Sequence, residues 1–159
     1  MTRNSSFRSN VRMMGWITRF IKKCRKTTFE SGLLTLRETE AGERTIFRLI
    51  KKPAFGGIKT FPEGSKNLNR FIDKDGLFRV KTRLCNRNDT VDFKTLVLLP
   101  KFGLGVEQLI IQIHVENNHA GIQTTMGILR EQVWIIQTRR AYEKLSKNAL
   151  RAEDSMPSQ

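Results

Sequence analysis

Apolar residues recur along this chain at two periods, and the changes of period divide it into segments. Over residues 11–25, Val11, Met14, Ile17, Ile21 and Cys24 fall three and four positions apart, with Arg12, Arg19, Lys22, Lys23 and Arg25 around the other sides. That is the pattern of an amphipathic helix with a basic polar face. A second helix is predicted from about residue 36 to residue 51. Thr35 and Glu38 have capping-box spacing, Ile46, Phe47, Leu49 and Ile50 form the stripe, and Pro53 is the expected stop.

Residues 53–70 carry Pro53, Gly56, Gly57, Pro62, Gly64 and Ser65 and read as an irregular connection, the natural place for a module boundary. The period then shortens. Phe71 and Ile72 on one side of Asp73–Gly76, and Leu77–Val80 on the other, predict a β-hairpin whose Asp-Gly turn supplies a positive φ. Asp73, Asp75 and Gly76 also match the opening of a calcium loop, but the position of its closing Glu holds Leu84, so the turn is the reading taken. A further strand is expected at Leu96–Leu99, ended by Pro100.

Helical spacing returns at Val106, Leu109, Ile110 and Ile113, which places His114 at the end of a helix and His119 just past it. Thr124 and Thr125 can start a second helix carrying Met126, Leu129 and Val133, and a third is expected from Arg139 to Leu150 with Leu145 inward. The fold class is therefore mainly α with a small β-hairpin and strand element, closing in a three-helix arrangement of helix-turn-helix type. Four segments follow: a basic helical region over 1–52, the connection and hairpin over 53–100, a helical unit over 101–152, and a polar tail over 153–159.

Charge sharpens the picture. The formal net charge is +14, and residues 1–26 alone contribute eight Lys or Arg and no acid, more than half of that excess. Such an excess favours anionic partners, nucleic acid first and an acidic membrane surface second. A solvated basic face with no specific partner is the plain alternative. The helix over 11–25 is accordingly open to three readings, docking against the rest of the fold, grazing a phosphate backbone or lying on a membrane, with docking the leading one. No apolar run approaches the ~20 residues of a membrane span, and the first residues lack a signal peptide's apolar stretch. The chain thus reads as intracellular, with nucleus and cytoplasm undistinguished. Cys24 and Cys85, the only cysteines, form no Cys-x-x-Cys pair and read as free structural thiols.

His114 and His119 are the only histidines. A zinc peptidase places two His four apart on one helix face, with the general-base Glu directly after the first. Here the offset of five turns the second ring by ~140° on a helix, and Glu116 follows at the second position, so that chemistry is excluded. No Gly-rich phosphate loop and no indicated partner for a nucleophile is present, and the chain reads as non-enzymatic. A structural zinc site needs four N or S ligands, of which the two His supply at most two.

Taken together, Arg19–Ile21, Phe71–Val80, Arg83, Leu84, Val97–Lys101, Leu109–Ile111, His114, His119–Gly121, Leu129 and Trp134–Ile136 resemble the Pol polyprotein of BEL/Pao-type LTR retrotransposons. The resemblance covers most of residues 11–150. In that family the segment joins the reverse transcriptase and RNase H part to the integrase, which begins with a small helical zinc-binding domain held by two His and two Cys. The resemblance implies that His114 and His119 stand at the two His positions as vestigial metal ligands, and that the Cys pair falls at Ala149 and Ala152, neither of which can ligate. Glu153 or Asp154 could substitute as oxygen ligands. No cofactor is therefore expected, zinc binding being weak or absent, because metal affinity in such domains is largely folding free energy. The integrase catalytic core lies downstream in the family, and this chain is expected to be a non-catalytic fragment or relic. The further implied roles are Leu129 and Trp134 as core, with base stacking the lesser role for Trp134, and Arg139, Arg140 and Lys144 as phosphate contacts on the third helix. The implied partner is DNA or RNA bound independently of sequence, together with self-association. A second reading is an assembly module without a nucleic-acid role, and a third is an untethered fragment with no selected function.

Overall fold

The computed structural model describes residues 6–26, 32–55, 61, 65–81 and 95–145. Helix α1 (Phe7–Cys24) starts at Ser6, whose side chain accepts the Ser9 N–H. Helix α2 (Leu36–Ala54) starts with the expected capping box, in which the Thr35 hydroxyl accepts the Glu38 N–H and the Glu38 carboxylate accepts the Thr35 N–H. Pro53 lies inside the last turn of α2 rather than ending it. So near the end, proline forfeits one backbone bond while its fixed φ is already helical.

The two helices cross at a pair of glycines. A Cβ on Gly42 would lie 2.7 Å from the Val11 carbonyl oxygen and 2.9 Å from the Gly15 nitrogen, so the backbones themselves are in contact. One turn further on, Arg19 reaches across to Glu38, with Nε 2.9 Å from Oε1, and both residues are buried. This crossing decides which face of α1 turns inward: Phe7, Val11, Gly15 and Arg19. Ile17, Ile21 and Cys24, expected to face inward, are exposed instead, beside Met13, Trp16 and Phe20. The apolar stripe yields because close approach needs the glycine face, and a paired arginine is tolerated where an unpaired one is not. On α2, Ile46 and Phe47 are buried as expected, while Leu49 is 53% exposed.

The sheet grows from the predicted hairpin. Strands β1 (Arg70–Ile72) and β2 (Phe78–Lys81) pair antiparallel, with Ile72 opposite Phe78. Between them the Asp73 carboxylate accepts the N–H groups of Asp75 and Leu77, and Gly76 takes φ +75°. Strand β3 (Thr95–Leu99) pairs antiparallel with β2. Strand β4 (Val133–Ile135) pairs parallel with β3, placing Leu98 opposite Trp134. The connection from β3 to β4 is a helical crossover of α3 (Leu104–Glu116) and α4 (Ile122–Gln132), as a parallel pair requires. Val133, expected on the second helix of the C-terminal unit, thus lies in a strand. A run of Val, Trp and Ile suits a pleated surface, and the free edge of β3 supplies its partner. Helix α5 follows from 138 to 145. The expected continuation to Leu150 and the polar tail over 153–159 lie outside the described residues.

Side chains of β3 alternate between two cores. Val97 and Leu99 join Phe7, Phe47, Leu109, Leu129 and Ala141 beneath the helices, and Leu98 joins Phe78, Val80 and Ile136 on the opposite face. The larger core therefore draws on residues from 7 to 141 and runs across the expected segment limits near 52 and 100. The architecture is mainly helical with one four-stranded sheet, in strand order β1-β2-β3-β4. The C-terminal helices α3, α4 and α5 are present, but β4 stands between the last two and α3 packs on α1 and α2.

Candidate functional site

Buried Leu109, Ile110 and Ile113 pin α3 against the core, which brings His114 into its last turn. After the C-cap Asn117, Asn118 and His119 take φ of 53° and 57°. Left-handed backbone is one that Asn and His both adopt more readily than most non-glycine residues, so the reversal suits the side chains that make it. This reversal undoes the rotation expected for an offset of five. The rings of His114 and His119 meet edge to face with centroids 4.9 Å apart, and His119 Nδ1 lies 3.2 Å from His114 Nε2.

The other nitrogen of His114 is also engaged. Its Nδ1 lies 3.0 Å from the Ala120 carbonyl oxygen. A carbonyl only accepts, so Nδ1 carries the proton and the Nε2 lone pair is turned toward His119. Tyr142, the only tyrosine, comes from α5 to place its hydroxyl 3.2 Å from the same Nδ1 and 3.4 Å from the Ala120 oxygen. The sequence reading missed this residue. No spacing links it to the histidines, and its place depends on how α5 packs.

Two imidazole nitrogens on one tetrahedral zinc, at bond lengths of about 2.0–2.1 Å, stand about 3.3 Å apart. The observed 3.2 Å, with a backbone carbonyl fixing the tautomer of one ring, matches that spacing and equally that of an N–H···N hydrogen bond between the two rings. The donor set does not complete a closed structural site. Among the described residues no group of three or more His, Cys, Asp or Glu is placed to hold a metal ion. Ala149, Ala152, Glu153 and Asp154 lie outside the described residues, and the two alanines carry no donor atom.

A second feature lies around β4 and the start of α5. An open cleft of about 790 Å³ is lined by Lys66, Arg130, Trp134, Gln137, Arg139 and Arg140, among others, and none of the described residues lining it is acidic. Two of the three expected phosphate contacts, Arg139 and Arg140, therefore share a surface. Arg139 Nε is 3.0 Å from the carboxylate of Glu143, and Arg140 Nη1 is 3.4 Å from Gln137 Oε1. Lys144 is placed elsewhere, with its ammonium 4.4 Å from the centre of the Phe102 ring, which Lys101 also approaches. Arg130 and Lys66 were missed in the sequence, since only the chain reversal at Gln137 (φ 52°) and the turn before β1 bring them in. Leu129 is fully buried, and Trp134 is half-buried between the smaller core and the cleft.

Among the described residues no helix is long and apolar enough to cross a membrane. Comparison of the chain with protein-family models, with curated proteins and with solved structures returned no match.

Proposed function

We propose that this chain is a non-catalytic segment of a retrotransposon Pol polyprotein, a degenerate relative of the integrase zinc-binding domain that binds nucleic acid without sequence preference. The observation that carries the reading is the convergence of His114 Nε2 and His119 Nδ1 at 3.2 Å. The motif resemblance assigns ligand positions to these two residues, and the chain reversal at Asn118 and His119 brings their rings together. Zinc would use these two imidazoles. With alanines at the other two positions the pair holds metal poorly, and no part of the proposed activity depends on it.

Binding is supplied by the basic surface. Arg130, Arg139, Arg140 and Lys66 meet phosphates through counterion release, so affinity should fall linearly with salt on logarithmic axes. For about three phosphates neutralised the slope is about −3. Fluorescence anisotropy with labelled duplex DNA checks this, and an affinity unchanged between low and moderate salt would refute the electrostatic account.

A second reading, an assembly module, is favoured by the uncovered face of α1. Met13, Trp16, Ile17, Phe20 and Ile21 are each between 42% and 66% exposed and sit on one side of the helix. A contiguous apolar face of this kind marks an interaction surface. Static light scattering against concentration separates the readings: a mass rising above 18.4 kDa that Phe20→Ser abolishes supports assembly.

A further inference from the structure

Trp134 is held in an unusual position for a tryptophan of a small core. Its side chain packs against the cluster of Phe78, Val80, Leu98 and Ile136, and the residue also lines the cleft whose other walls carry Lys66, Arg130, Arg139 and Arg140. Strand β4 fixes the backbone that carries the ring, since Trp134 is paired to Leu98 of the central strand. The cations come from three separate elements: the last turn of α4, the first turn of α5 and the turn preceding β1. The guanidinium of Arg130 stands 6.0 Å from the ring centre, at the limit of a cation–π contact. The pair between Arg139 and Glu143 is exposed on both sides, worth little, and easily exchanged for a phosphate.

A flat apolar platform ringed by positive charge suits a ligand that alternates a flat ring with a negative charge. We infer that this cleft binds a single strand of nucleic acid, with one base stacked on Trp134 and its flanking phosphates on Arg130, Arg139, Arg140 and Lys66. Duplex DNA cannot use the platform, since its bases are already stacked on their neighbours. An unpaired strand can splay one out. The cleft volume of about 790 Å³ lies within the ~300–1,000 Å³ of small-ligand sites. Few groups in the cleft read base edges: of the neutral polar residues Asn67, Gln137 and Thr138, the last already donates its hydroxyl to the Ile135 carbonyl, so any base should serve. The inference rests on the nucleic-acid reading above and adds the form of the strand and the residue that selects it.

The test compares labelled oligothymidylate with a duplex of the same length at one moderate salt concentration, using the full chain. The expected result is tighter binding of the single strand, and a loss of about tenfold for that strand alone in Trp134→Leu, with Trp134→Phe retaining most of it. Because Trp134 also packs on the core, a second measurement guards against a folding defect. In the Trp16→Phe chain Trp134 is the only indole, and oligothymidylate should quench its fluorescence while polyglutamate does not. Equal affinity for both forms in every variant, or no quenching on saturation, overturns this inference and leaves the nucleic-acid reading standing. Absence of binding to either form overturns both.

Discussion

Replacing Gly42 with alanine adds one methyl group at the point where α1 and α2 touch. The new Cβ would sit 2.7 Å from the Val11 carbonyl oxygen, about 0.7 Å short of ordinary contact at 3.4 Å, and 2.9 Å from the Gly15 nitrogen. Both obstacles are backbone atoms inside a helix and cannot swing aside as a side chain would, so the helices must part. Overpacking of this kind costs up to about 3 kcal/mol. Alanine's better helix propensity returns about 1 kcal/mol, which leaves a net loss of about 2 kcal/mol. For a chain of this size that lowers Tm by roughly 4–8 °C. The control is Gly127→Ala, in the middle of α4, where a Cβ meets nothing within 4 Å. There the same change should stabilise by about 0.4–1 kcal/mol. Thermal and urea unfolding followed by circular dichroism measure both. If Gly42→Ala proved as stable as the parent, or if the two variants shifted in the same direction, the close crossing of α1 and α2 would not be what positions α1.

Two further predictions concern charge and metal. The Arg19 guanidinium, followed by the Thr35 N–H, holds the Glu38 carboxyl at about 2, below its ordinary 4.5. A depressed folded value stabilises the protein above the unfolded value, so this contribution is complete above about pH 4.5 and is lost as pH falls toward about 2. The urea midpoint should drop across that window, and Glu38→Gln should flatten the drop; an unaltered acid profile would show that the pair does not govern it. Zinc added to the chain at neutral pH should give only weak heat in isothermal titration, whereas Ala149→Cys with Ala152→Cys should create tight one-to-one binding with a raised Tm. Tight one-to-one binding by the unaltered chain would show that His114 and His119 find two further ligands without those cysteines.

Local chemistry settled the local elements. The Thr35–Glu38 capping box, the Asp73–Gly76 turn, the strand ended by Pro100 and the helix that delivers His114 all form where short-range spacing places them. Each depends on contacts within a few residues, and those are legible in a linear sequence. Three decisions belonged to the tertiary structure. Val133–Ile135 became a strand because the edge of β3 was available to it, not because its own spacing demanded one. The later part of the apolar stripe of α1, Ile17, Ile21 and Cys24, was left outward because Gly15, Gly42 and the Arg19–Glu38 pair dictated the closer face. The cleft that joins Lys66 to Arg130, Trp134, Arg139 and Arg140 exists only after β4 and α5 are in place. The sequence alone determined which side chains could meet a metal or a phosphate. Packing across distant segments decided which of them come together, because a rotation of a helix or the pairing of a strand is fixed by partners that lie far away along the chain.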